Sequence, residues 1–339
     1  MSLSVVYTRA ALGVNAPLIT IEVHISQGLP GLVMVGLPET TVKESRDRVR
    51  SAIINSGYTF PAKKITINLA PADLPKEGGR YDLPIAIALL AASEQLSTQK
   101  LGQYEFVGEL ALTGALRGIP GAISAAMEAI NAGRQIVLAE DDAPLVGLLG
   151  GNDCLIASHL LEVCAFLEGK QELRLPPAET PVITEAADDL SEVIGQQQGK
   201  RALEVTAAGG HNLLLIGPPG TGKTMLASRL RGLLPPLNDR EALESAAIIS
   251  LENSRRVQAE WRCRPFRAPH HSASLTAMVG GGSIPAPGEV SLAHNGILFL
   301  DELPEFERRV LDALREPIES GKIHISRTRA KITYPARFQ

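Results

Sequence analysis

Two short stretches carry residues whose types and spacing can do chemistry on phosphates. The first, Gly217 to Thr224, reads GPPGTGKT and satisfies G-x-x-x-x-G-K-[ST]. In such a loop the glycines let backbone N–H groups curl around phosphate oxygens. The lysine neutralises the β- and γ-phosphate charges, and the Ser/Thr hydroxyl ligates Mg²⁺. ATP with Mg²⁺ is therefore the expected ligand. Gly217, Pro218, Pro219, Gly220, Thr221, Gly222, Lys223 and Thr224 form the cradle, and Val193 and Ile194 are included among the nucleotide-contacting residues. The second stretch, GILFLDE, is an apolar strand from Gly296 to Leu300 that delivers Asp301 and Glu302 at its carboxyl end. Downstream of a phosphate loop, Asp301 is expected to join Thr224 at the Mg²⁺ and Glu302 to polarise an attacking water, with Lys223 as the other catalytic group.

The elements that must position these residues are an α/β set. HNLLLI reads as an apolar strand running straight into the glycine loop, and KTMLASRLRGLL as the helix leaving it, with its positive end towards the phosphates. Ahead of them, DLSEVIGQQQGKRALEVTAAGG reads as a helix ending at Gly209. Further upstream, LRLPPAETPVITEA holds Pro176, Pro177 and Pro181, which oppose helix and favour an extended spacer. This predicts a first domain over 1–170, a Pro-rich linker over 171–187, and the phosphate-binding domain over 188–339.

Within the first domain, strands alternate with helices. PETTVKESRDRVRSAIINSG has Thr41 three residues before Glu44, the capping-box spacing, and Val42, Val49, Ala52 and Ile53 on one face before a stop at Gly57. KITINLA alternates as a half-buried strand. DLPIAIALLAA, with Asp82 as the expected N-cap, is apolar enough to be a buried helix.

The 339 residues exceed the usual single-domain size, in keeping with two cores. A net charge of −4 excludes a uniformly basic nucleic-acid coat, so any such contact must come from a local cluster. Cys154, Cys164 and Cys263 have spacings that fit neither a disulfide framework nor a zinc site, which favours a reducing, cytoplasmic setting. No uncharged apolar run reaches the length of a membrane span, and the N-terminus lacks a cleavage signal, so no membrane association is expected.

GPPGTGKT, FRAPHHSAS, GEVSLAHNGILFLDELPEF and ALREPIESGKIHISR together resemble the magnesium-chelatase-like branch of the AAA+ ATPases. VGLPETTVKESRDRVRSAIINSGY narrows the resemblance to the ComM (YifB) proteins of bacteria, over nearly the whole chain. It implies a ring-forming, hexameric, ATP-driven motor that acts on single-stranded or branched DNA and migrates branches during natural transformation. Two other readings stand beside it: a chelatase-like remodeller of another protein that does not act on DNA, and a non-catalytic nucleotide switch. The first half is similar to the proteolytic domain of Lon, and so in fold to the second domain of ribosomal protein S5. The implied architecture is an S5-like α+β domain followed by an incomplete P-loop AAA+ α/β domain. Laying the matching AGxxxVL-type and PK-acid-G segments of Lon and this chain over each other puts Arg80 at the Lon serine and Ile123 at its lysine. Neither can serve a serine–lysine dyad, which argues against peptidase activity.

Four further features bear on function. GKIHISRTRAKITYPARFQ alternates Ile323 and Ile325, turns near Thr328, and alternates again, so a β-hairpin is predicted. The resemblance makes Arg327, Arg329 and Lys331 pore-lining DNA contacts, against the alternative of an edge hairpin kept soluble by its charges. Arg46, Arg48, Arg50, Lys63, Lys64, Lys76 and Arg80 could form a basic patch, although an ordinary solvated face is favoured. Arg255, Arg256, Arg262, Arg264 and Arg267 surround Trp261 and Phe266, which suits either single-strand contact or burial of Trp261 in the core. His270 and His271 have no companion ligands at zinc spacing; a structural role, or coupling of the nucleotide site to a mobile insertion over 280–288, is expected instead. In AAA+ enzymes a sensor strand, an arginine finger and a helical lid follow the hairpin. Their absence after Gln339 leads us to expect a fragment that binds nucleotide weakly if at all, hydrolyses it negligibly and closes no stable rings.

Overall fold

The computed structural model describes residues 2–36, 40–177, 189–282, 286–326 and 331–339, and the chain divides into two compact units, one on either side of the 178–188 segment. The proline-rich linker predicted over 171–187 therefore lies largely outside the described residues.

The first unit is a seven-stranded mixed sheet with helices, beside a short antiparallel pair of Glu109–Leu110 with Leu116–Arg117. Its strands are β1 (Ser2–Arg9), β2 (Leu18–Ser26), β3 (Gly31–Val35), β4 (Lys64–Ala70), β5 (Tyr104–Phe106), β6 (Gln135–Ala139) and β7 (Cys154–Ala157), in the order β3-β4-β2-β1-β5-β6-β7. β1, β2 and β4 pair antiparallel, whereas the other four ladders are parallel. The main helices are α1 (Thr40–Asn55), α2 (Asp82–Ala92), α3 (Ala122–Asn131) and α4 (Leu160–Leu167). Val42, Val49, Ala52 and Ile53 of α1 pack into the core, and Gly57 follows at φ +80°, where glycine alone is unstrained. Alternation in β4 buries Ile65, Ile67 and Leu69. Every residue of α2 is buried, as its composition requires.

Two predicted caps change. α1 already includes Thr41, so the Thr41–Glu44 capping box is not at the helix start. Asp82 is the first helical residue rather than the cap. Its carboxylate accepts from the Arg48 guanidinium at 2.7 Å and from the Leu110 N–H at 3.3 Å, because a buried charge gains more from a cation than from a helix end. Arg80 is buried, donating to the carbonyls of Arg9 and Pro120, and Ile123 is buried in the apolar interior. The candidate basic patch does not assemble: Lys76 and Arg80 are buried, Arg48 is committed to Asp82, and Arg50 lies over the Phe60 ring.

The second unit contains α5 (Gln197–Gly209), α6 (Lys223–Ser228), α7 (Asp239–Glu252), β8 (Phe266–Arg267), α8 (Leu275–Val279), β9 (Ile297–Leu298), α9 (Arg308–Ala313), α10 (Arg315–Ser320), β10 (Lys322–Ser326) and β11 (Lys331–Pro335). The long helix expected to begin near residue 189 starts at Gln197 instead, because Gly195 and Gln196 both sit at positive φ (73° and 53°) and break the spiral. HNLLLI forms no strand. Among the described residues no ladder partner lies beside it, and Leu214 and Ile216 are 66% and 87% exposed. KTMLASRLRGLL is not one helix either; it breaks at Arg229 into α6 and a turn of helix over Leu230–Leu233. The two strands of the predicted hairpin are present, with β10 antiparallel to β11 and Ile323, Ile325, Ile332 and Tyr334 buried along them, and its predicted turn near Thr328 lies outside the described residues. At the predicted insertion, Gly280–Gly281 pairs antiparallel with Ala286–Pro287.

Candidate nucleotide site

The glycine loop is shaped by Gly220 and Gly222, at φ +78° and +82°, conformations that an L side chain would strain. The Thr221 hydroxyl closes the turn by donating to the Pro218 carbonyl at 2.9 Å. Lys223 opens α6, and its ammonium donates to the carbonyls of Gly217 and Pro218, each at 2.9 Å, so the amine is folded over its own loop. From outside, the Gln196 amide donates to the Thr221 carbonyl at 3.2 Å. Gln196 is a brace that the motif did not reveal; its signal in the sequence is only its place after Gly195.

Leu226 of α6 packs with Leu190, Val193, Leu203, Leu230 and Ile297, anchoring the loop to the strand that bears the acids. Val193 thus belongs to the core at 2% exposure, whereas its neighbour Ile194 is 95% exposed.

β9 is paired in parallel with β8, Phe266 facing Ile297 and Arg267 facing Leu298, and the Phe299 N–H continues the ladder to the Arg267 carbonyl. Parallel pairing puts the carboxyl ends of both strands side by side, the edge on which α/β sheets bind ligands. There the Thr224 hydroxyl donates to Asp301 Oδ2 at 2.9 Å, and Asp301 Oδ1 accepts the Glu302 N–H at 3.0 Å. Glu302 has φ +53° and ψ +48°, a left-handed conformation uncommon outside glycine and asparagine. Its carboxylate meets His271 Nδ1 at 3.2 Å. His270 lies against His271, with ring centroids 4.0 Å apart and planes tilted by 36°, and its Nδ1 engages the Ser272 hydroxyl at 2.8 Å.

The donor set fits Mg²⁺ and a polyphosphate. A hydroxyl and a carboxylate within hydrogen-bond reach are hard oxygen ligands of the type Mg²⁺ takes alongside water and phosphate. Lys223 can exchange two neutral carbonyls for anionic phosphate oxygens, a stronger charge-assisted pairing.

The other candidates fare differently. Arg327 and Arg329, and the side chain of Lys331, lie outside the described residues. The basic run around Trp261 is largely ion-paired: Arg256 pairs with Glu252 and Glu260, Arg262 with Asp239, Arg264 with Glu241, and Arg267 bidentately with Glu289. Trp261 itself is 7% exposed. That resolves the open alternative for Trp261 in favour of core burial.

A phosphate loop braced on a strand end bearing Asp and Glu, following a separate α/β unit in the sequence, has the arrangement of a P-loop nucleotide-binding protein. The family profile described as "Magnesium chelatase, subunit ChlI" matches residues 189–339, and that described as "Subunit ChlI of Mg-chelatase" matches residues 21–142. Over all 339 residues the chain is 78% identical to the "Uncharacterized protein YifB" of Escherichia coli K12, covering 67% of it. It is 58% identical to the "Competence protein ComM" of Haemophilus influenzae, covering 68% of that protein and all of this chain. The "Magnesium-chelatase 38 kDa subunit" of Rhodobacter capsulatus is 28% identical over 187 residues, 49% of this chain and 52% of that protein. The chain belongs to the ComM/YifB family.

Proposed function

We propose that the chain carries the nucleotide engine of a ring-forming, ATP-driven DNA motor that migrates branches as incoming strands are integrated. The observation that carries the engine is the Thr224–Asp301 hydrogen bond, which joins the phosphate loop to the acidic strand end across 77 residues of sequence. Similarity over the whole of this chain to a relative named for competence supports the DNA reading over the chelatase one, because the chelatase relative matches only about half the chain. Both family profiles do carry the chelatase description, the first unit's included. The N-terminal half alone therefore does not separate the two.

When bound, Mg²⁺-ATP supplies the phosphoanhydride and a metal that neutralises its charge. The protein's part is positioning and electrostatics. Lys223 turns from the Gly217 and Pro218 carbonyls to phosphate oxygens, and Thr224 and Asp301 offer oxygens to the metal. Glu302 accepts a hydrogen bond from the attacking water and orients it. In a hexamer, Arg327, Arg329 and Lys331 of each subunit would line the pore with cations, a sequence-independent and salt-sensitive hold on DNA.

The test is ATP turnover by the full-length protein, with and without single-stranded and branched DNA, with Glu302→Gln as the inactive control. Stimulation by DNA that vanishes in Glu302→Gln supports the motor. Turnover indifferent to DNA would favour the protein remodeller.

A further inference from the structure

We propose that the second unit holds a further anion site, a cavity at the amino end of β8 that takes a phosphate group and is separate from the nucleotide loop. The cavity measures about 80 Å³. One water needs roughly 10–15 Å³, so there is room for a group of several heavy atoms. Its walls bring together Arg231 from the turn of helix over Leu230–Leu233, Arg256 from the short helix Ser254–Ala259, Arg264 from just before β8, and Arg267 within it. Glu260 is the one carboxylate in the lining, and all five charged side chains are half-buried.

Hydrogen-bond donors outnumber acceptors in these walls. A guanidinium carries five N–H donors and accepts nothing. Arg267 gives Nε and Nη2 to Glu289 at 2.6 and 2.7 Å, and its Nη1 has no partner among the described residues. Arg256 gives Nε and Nη2 to a single oxygen of Glu260, at 3.0 and 2.7 Å. Arg264 donates to the carbonyls of Pro235 and Asn295 at 2.6 and 2.7 Å, and reaches Glu241 only at 3.4 Å. Arg231 has neither a hydrogen bond nor an ion pair among the described residues. Glu241, Glu252 and Glu289, which pair with these cations, stand outside the lining. Four guanidinium groups therefore share the cavity with one carboxylate already taken by Arg256. A half-buried surplus of charged donors is matched by an acceptor-rich anion, and the oxygens of phosphate fit the planar fork of arginine. The nucleotide loop is elsewhere, at the carboxyl ends of β8 and β9, where Thr224 meets Asp301.

Cys263 lies in the same lining and reports on the cavity's occupancy. In the full-length protein, alkylation of Cys263 by iodoacetamide is followed by peptide mass spectrometry as inorganic phosphate replaces chloride at constant ionic strength. Phosphate should slow the reaction saturably, equally in wild type and in Lys223→Ala, which disables the nucleotide loop. In Arg231→Gln the concentration needed should rise at least about tenfold. Because Arg231 holds no ion pair, that variant should keep the wild-type circular dichroism. Calorimetric titration of phosphate into Lys223→Ala, with and without Arg231→Gln, gives the same comparison where the thiol does not react. Repeating the protection with glycerol phosphate identifies the source: slowing by phosphate alone supports a site for the free ion, and slowing by both supports one for a terminal phosphate group. A Cys263 rate that ignores phosphate, equal protection in Arg231→Gln, or calorimetry without binding would overturn the proposal.

Discussion

Thr224 and Asp301 stand 77 positions apart in the chain and 2.9 Å apart in space, hydroxyl to carboxylate. The pairing depends on two separate pieces of folding. Leu226 is packed under α6 beside Ile297, and β9 is held in parallel register by β8. Neither piece touches a phosphate, yet together they bring the oxygens expected at the metal into one place.

A buried ion cluster in the first unit is expected to govern its stability. Glu105 is fully buried and accepts from Arg9 at 2.6 and 2.7 Å and from Arg134 at 3.2 Å. Glu105→Ala strands Arg9 without its partner and should cost about 3–5 kcal/mol in urea unfolding. Adding Arg9→Met should recover part of that loss, and a double variant no more stable than Glu105→Ala would contradict this reading.

Stability of the same unit should depend on pH through Asp142. Burial pushes its carboxyl up to about 7 despite the Ile119 N–H it accepts and nearby Arg80, with Asp141 adding repulsion. A folded value above the unfolded 3.8 means the folded state binds the proton more tightly. This group's contribution is therefore full below about pH 4 and is lost as pH rises through about 7. Thermal unfolding at pH 5 and pH 8 should show Asp142→Asn losing less stability across that interval than wild type. An equal or larger loss would refute the assignment.

Trp261 is the chain's only tryptophan, and its burial makes a simple optical test. Its emission should be blue-shifted, weakly quenched by acrylamide, and unchanged when single-stranded DNA is added. Quenching by DNA would restore the Arg255–Arg267 run as a stacking surface.

If the hairpin binds phosphates, replacing Arg327 and Arg329 with alanine in the full-length protein should weaken DNA binding at low salt without altering nucleotide affinity. The slope of log affinity against log salt should fall by about 0.7 for each single-strand phosphate that the hairpin no longer neutralises. An unchanged slope would leave the hairpin as a charged edge.

Local elements were legible in the sequence wherever a repeating pattern met a core. The 3.6-residue face of α1, the alternation of β4 and of the hairpin, and the all-apolar α2 were each readable from spacing. The glycine motif and the acidic strand end were readable as candidate site residues, and the fold brings Thr224 and Asp301 together. What failed depended on partners that periodicity does not carry. HNLLLI has a strand's composition, but its strand character needs a ladder beside it. α5 starts late because of backbone at Gly195 and Gln196, and Asp82 gave up a capping role for Arg48. The His271–Glu302 contact was hidden because it follows from register between β8 and β9, which one sequence alone does not specify.

The central claim is that residues 217–224 and Asp301 form one nucleotide site requiring Mg²⁺. The most direct measurement is the affinity of the full-length protein for a fluorescent ATP analogue, with Mg²⁺ and with chelator, in wild type, Lys223→Ala and Asp301→Asn. We expect binding that Mg²⁺ strengthens in wild type, a loss of at least about tenfold in Lys223→Ala, and binding in Asp301→Asn that no longer responds to Mg²⁺. Affinity that is the same in all three proteins, with or without Mg²⁺, would contradict the site.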